Sequence, residues 1–164
     1  MVRFTFLLLL SVTLFSCNKD EEPLLSGEKT LQSADYLIFG RYAGFCVGEE
    51  CVEIFKLEDN VLSEDINDNY PDYKMPYNGN FQPLTSLKML DTENILTQTP
   101  ASIFAIQDTI LGCPDCADGG GVYFEYKQGD VRRYWLIDQI KSNIPEQIHP
   151  LVDEINAIVD TINE

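Results

Sequence analysis

The steadiest period in the chain lies near its C-terminal end. There Ile144, Ile148, Leu151, Val152, Ile155, Ile158, Val159 and Ile162 recur at spacings of three and four. Such spacing draws one apolar stripe along an α-helix, and a stripe of that kind must be buried against another element. Pro145 suits a helix start, but Pro150 would break an interior, since proline lacks an amide proton and its ring crowds the preceding turn. The helix is therefore expected to begin near Pro150, with one separate turn before it.

Strand-like runs upstream supply the surface this helix needs. Tyr36, Leu37, Ile38, Phe39, Tyr42 and Phe45 form one apolar stretch, and its glycines at 40 and 44 mark a bulge or a close backbone approach. Cys51–Leu57 reads as a second strand after a turn at Gly48-Glu49-Glu50, and Val61–Ile66 returns as a third after Glu58-Asp59-Asn60. Val122–Lys127 and Val131–Ile137 flank Gln128-Gly129-Asp130 as a hairpin. Residues 67–80 and 112–121 hold too much proline, glycine and Asn/Asp for regular structure. Leu84, Leu87, Met89 and Leu90 suggest a short helix after Pro83, and Thr99-Pro100 suggests the cap and first turn of another. The expected fold is α+β: a small antiparallel sheet of about five strands packed on the C-terminal amphipathic helix.

Cys17 organises the other end. Arg3 precedes the apolar run Phe4–Ser16, and after Cys17 the chain turns wholly polar in Asn18-Lys19-Asp20-Glu21-Glu22-Pro23. This is the order of a secretory leader, and the run is shorter than the roughly 20 residues a spanning helix needs. Leu14-Phe15-Ser16-Cys17 resembles the lipobox of bacterial lipoproteins, although Phe15 is bulkier than usual at its place. The resemblance implies cleavage after Ser16, diacylglycerylation of the Cys17 thiol and acylation of the new amino group. Lys19-Asp20-Glu21-Glu22 looks like the signal with which Bacteroidetes-type bacteria carry lipoproteins to the outer face of the outer membrane. The expected organisation is a signal peptide at 1–16, a lipidated cysteine and flexible acidic tether at 17–33, and one domain at 34–164.

Charge narrows the partners. The chain carries a formal charge of −16, and loss of Arg3 with the leader brings it to −17, 10 basic against 27 acidic groups. Such a chain repels nucleic acid and anionic headgroups. The expected contacts are the membrane through the anchor and a surface protein or glycan; no nucleic acid and no cofactor are implied.

With Cys17 assigned to lipid, Cys46, Cys51, Cys113 and Cys116 remain. An even set outside the cytoplasm is read first as two disulfides, whose three connectivities sequence leaves open. A link between the two clusters closes a long loop and is worth about 4 kcal/mol in the chain-entropy model, against about 2 for each local link, provided the segments lie side by side. The alternative is a zinc ion held by Cys46, Cys51, Cys113 and Cys116, since thiolates at short spacing bind tetrahedrally. A further alternative is thiol–disulfide exchange at Cys113-Pro114-Asp115-Cys116, but Ala117-Asp118-Gly119-Gly120-Gly121 cannot begin the helix that activates such a thiol.

Weaker patterns resolve into ordinary structure. Asp65-Ile66-Asn67-Asp68-Asn69-Tyr70 imitates the opening of a calcium loop, yet Tyr70 stands where glycine is needed and Pro76 where an acid is needed. It reads as an Asx-rich turn, and Asp115 and Asp118 as loop-shaping residues. His149, the sole histidine, reads as a helix-start residue. Tyr70, Tyr73 and Tyr77 either pack their loop onto the sheet, the preferred reading, or offer a contact platform for glycan or protein. No catalytic residue emerges, and the expected function is a non-enzymatic binding or envelope-associated module.

The pattern as a whole resembles small uncharacterised surface lipoproteins of Bacteroidetes-type bacteria. The likeness rests on Phe39-Gly40 through Cys46, Cys51–Phe55, Gly112–Asp118, and Trp135-Leu136-Ile137-Asp138 before the proline-started helix. It implies the domain boundary and the four-cysteine framework and transfers no catalytic residue.

Overall fold

The computed structural model describes residues 33–46, 48–84 and 93–163. Leader, Cys17 and tether lie outside these residues, apart from Ser33, as do Leu87, Met89 and Leu90 of the helix expected after Pro83. The described chain builds one sheet from β1 (Tyr36–Tyr42), β2 (Val52–Glu58), β3 (Val61–Asp65), β4 (Phe81–Pro83), β5 (Ile110–Leu111), β6 (Gly121–Gln128) and β7 (Val131–Asp138). Its order is β4-β3-β2-β1-β6-β7-β5. Every neighbouring pair is antiparallel except β5 with β7.

The fold is α+β, as expected, but the sheet has seven strands rather than about five. The additions are β4, of three residues, and β5, of two. Neither is long enough to show a period of two; each forms because β3 and β7 leave backbone edges to be paired.

Helix α1 (Glu93–Gln98) precedes a 3-10 turn at Ala101–Ala105, so the segment after Pro100 is a tight turn and not a full helix. Thr99 does not cap it; its hydroxyl donates back to the Ile95 carbonyl at 2.6 Å. Helix α2 (His149–Asn163) follows a separate 3-10 turn at Glu146–Ile148, where Pro145 and Pro150 place its start. The helix runs from the β7 side, where Lys141 pairs with Asp153, to the β1–β2 side, where Arg41 pairs with Asp160 at 2.5 Å.

Alternation divides the sheet into two faces. Leu37, Phe39, Phe55, Val122, Phe124, Trp135 and Ile137 face α1 and α2 and form the larger core with Ile95, Ile103, Leu151, Ile155 and Val159. The opposite register, Ile38, Tyr42, Val52, Ile54, Tyr123 and Leu136, is roofed by Tyr77 from the irregular 66–80 loop. Gly40 permits a close approach within β1: a β-carbon there would collide with the Glu53 carbonyl of β2.

Candidate functional site

Tyr42 at the end of β1 stands in register with Val52 at the head of β2 and Gly121 at the head of β6. The loops through 43–51, 66–80 and 112–120 therefore gather at one end of the sheet. The Tyr70 hydroxyl donates to the Ala43 carbonyl at 2.5 Å, and its ring meets Tyr42 edge-on at 6.2 Å. A side chain at Gly44 would strike the Asp115 carboxylate and the Asp118 backbone, so two of these loops touch directly.

All four cysteines lie here. Cys46 is bonded to Cys51 with Cα atoms 5.6 Å apart, and Cys113 to Cys116 with Cα atoms 5.4 Å apart. Both links are local, against the entropic preference for a long one. Tight turns are the reason: Cys51 N–H bonds Gly48 O, Ala43 N–H bonds Cys51 O, and Cys116 N–H bonds Cys113 O, so each partner is delivered to its neighbour. The two loops meet where Gly44 lies against Asp115 and Asp118. Each cysteine is bonded to its near neighbour in sequence, so the two links are separate. Among the described residues no three His, Cys, Asp or Glu side chains are grouped to hold a metal ion.

The Cys113–Cys116 loop continues into a 3-10 turn at Cys116–Asp118, with Asp115, Ala117 and Asp118 in the left-handed region. No helix N-terminus follows to stabilise a thiolate. The loop is braced by Asp138, whose carboxylate accepts from Cys113 N–H at 2.9 Å, Ile140 N–H at 2.8 Å and Asn143 at 2.7 Å. Burial works to raise its pKa, but the bonds from Asn143, Ile140 and Cys113 outweigh burial and hold it below the ordinary value.

Beside the Cys46–Cys51 link opens a cleft of about 490 Å³, lined by Cys46, Gly48, Glu50, Cys51, Glu53, Glu64 and Asn163. Glu53 is 6% exposed. Burial, and then the neighbouring Glu64 carboxylate, raise its pKa to about 7, with Arg41 and Asn163 opposing.

The tyrosines divide. Tyr77 is buried: its hydroxyl donates to Asp65 at 2.6 Å and lies 2.9 Å from the Asn69 carbonyl, and its ring lies 5.6 Å from Tyr123. The packing role expected of the loop belongs to this residue. Asp65 also accepts from Asn80 N–H, so the calcium-like run closes a loop with its first carboxylate. Tyr70 and Tyr73 remain 46% and 43% exposed, and Phe45, between Gly44 and Cys46, is 90% exposed. The Tyr42 hydroxyl beneath them is buried, near Tyr73 but without a hydrogen bond of normal geometry. His149 accepts its expected place at the start of α2, its ring 2.9 Å from the Lys141 carbonyl.

Four carboxylates are buried, Glu53, Asp65, Glu125 and Asp138, and although Asp65 heads the Asx-rich run, the burial of none of them is legible in the sequence. Glu125 is wholly buried in β6 and receives Tyr123 O–H at 2.6 Å, Tyr36 O–H at 3.1 Å and Arg132 Nε–H at 2.7 Å. The available signal was an acid at a position whose alternation points inward, and a chain with 27 acids hides it.

No protein-family model, curated protein or solved structure matches this chain. Fold and loop end together define a small α+β domain with two disulfide-clipped loops and an aromatic end. Among the described residues no helix is long and apolar enough to cross a membrane.

Proposed function

We propose that the chain is a lipid-anchored outer-membrane lipoprotein facing the cell exterior, and that it acts as a non-enzymatic binding module. The observation that carries the reading is the polarity of the domain. The chain enters β1 beside the β6–β7 turn, where Tyr126 O–H bonds the Ser33 carbonyl and Gly129 N–H bonds Asp35. Phe45, Tyr70 and Tyr73 stand at the opposite end of β1, whose seven residues span about 20 Å. A tether running back to an acylated Cys17 holds the domain by one end and leaves the aromatic end directed outward.

Two or more acyl chains give durable attachment where one does not. The test is mass spectrometry of the mature protein from envelope fractions, with Cys17→Ser as control. The expected result is a chain beginning at Cys17 and carrying three acyl groups, released from the envelope in Cys17→Ser. An unmodified chain free in the cell interior overturns the reading.

A further inference from the structure

Large apolar side chains at the outward end need a reason, since Phe45 there contributes almost no burial to the fold. It is displayed by a loop tied down on both sides. Tyr70 holds the Ala43 carbonyl before it, and the Cys46–Cys51 link follows it. Restraint of that kind lowers the entropy lost when a side chain is captured by a partner. Tyr70, bonded to the Ala43 carbonyl, and Tyr73 on the same 66–80 loop add half-exposed rings at this end.

The surrounding charge selects among occupants. Asp68, Asp72, Asp115 and Asp118 stand on the loops of this end, and Glu50 lines the adjoining cleft. Lys74 is the one lysine or arginine within the described parts of these loops. Anionic lipid and nucleic acid are repelled by such a surface, and so is a second copy of the chain, which would bring the same carboxylates face to face. A cation is attracted twice over, by the carboxylates and by the electron-rich faces of the tyrosine rings.

We propose that the aromatic end docks a polypeptide segment in which an apolar side chain is flanked by arginine or lysine. This deepens the binding-module reading and rests on it. The apolar residue covers Phe45, and the cations meet the tyrosine faces and the acidic rim. Glu53 and Glu64 join Glu50 in lining the adjoining cleft, which extends the acidic rim beyond the Cys46–Cys51 link.

The test uses the full acylated chain in non-ionic detergent and a fluorescent serine–glycine decapeptide carrying Arg-Leu-Arg at its centre, followed by anisotropy. Parallel arms use the same peptide with Glu-Leu-Glu and a soluble neutral oligosaccharide. Saturable binding of the Arg-Leu-Arg peptide alone is expected, at least tenfold weaker in Phe45→Ala and unchanged in Val131→Ala at the far end of the sheet. Binding that Phe45→Ala leaves intact is unspecific charge attraction and overturns the proposal. If the oligosaccharide binds instead and Phe45→Ala abolishes it, the partner class is wrong while the contact surface stands. If no ligand responds to Phe45→Ala, both fall.

Discussion

The two faces of the sheet are covered by opposite means. On one, α2 lays Leu151, Ile155 and Val159 against Phe39, Phe124 and Trp135, apolar matter against apolar matter. On the other, an irregular loop is pinned by polar bonds: Tyr77 to Asp65 and Tyr123, and Tyr123 onward to Glu125. The helical face draws stability from area removed from water and depends little on direction. The loop face draws it from hydrogen bonds that are costly when one partner is lost. One face is thus tolerant and strong, the other specific and brittle.

The largest expected effect breaks the helical face. Trp135 is fully buried, stacked on Phe124 at 5.9 Å and met edge-on by Phe104 at 5.7 Å. Trp135→Ala should cost about 3–5 kcal/mol in urea denaturation. A loss below about 1 kcal/mol would mean that this face does not carry the fold.

On the opposite face Glu125→Ala strips the acceptor from Tyr36, Tyr123 and Arg132 at once. The expected cost is about 2–3 kcal/mol, and Glu125→Gln, which keeps one acceptor oxygen, should recover part of it. Arg132 is half-exposed and regains water, which is why the cost stays below that of a wholly buried pair. Equal stability of wild type and Glu125→Ala would remove the contrast between the faces.

The last effect is a pH dependence, confined to one window. The folded state raises Glu53 from 4.5 to about 7, so it holds that proton more tightly than the unfolded chain does. Stability contributed by this group grows as pH falls from about 7 towards 4.5 and is lost as pH rises through the same window. Glu53→Gln, uncharged throughout, should flatten that part of the wild-type curve in thermal melts recorded from pH 4.5 to 7.5. Parallel curves for the two proteins contradict the assignment.

The contrast between faces also explains what could be read from the chain beforehand. The period of Ile144–Ile162, the two prolines and the alternation of β6 and β7 state their structure locally, because helix and strand are defined by spacing. The α2 start and the β6–β7 hairpin follow from them. The loop face is written in single long-range bonds such as Tyr77 to Asp65, and neither residue looks unusual in a chain with eight tyrosines and 27 acids. The tyrosine loop was legible only in outline, since nothing in its spacing says that Tyr77 turns inward while Tyr70 and Tyr73 stay half outside. The cysteines were legible as a framework but not as pairs, because loop entropy ranks only links that geometry allows. The local turns at Gly48–Cys51 and Cys113–Cys116 decide the pairing.

The construction of the end that carries both cysteine loops is therefore the point at which the account is most exposed. Thiol titration with and without reductant, joined to metal analysis and non-reducing peptide mapping of the purified protein, addresses it directly. The account predicts no free thiol among Cys46, Cys51, Cys113 and Cys116, links 46–51 and 113–116, and no bound zinc. Four free thiols holding one zinc ion, a link between the two clusters, or ready reversible reduction of Cys113–Cys116 at physiological potentials would contradict it.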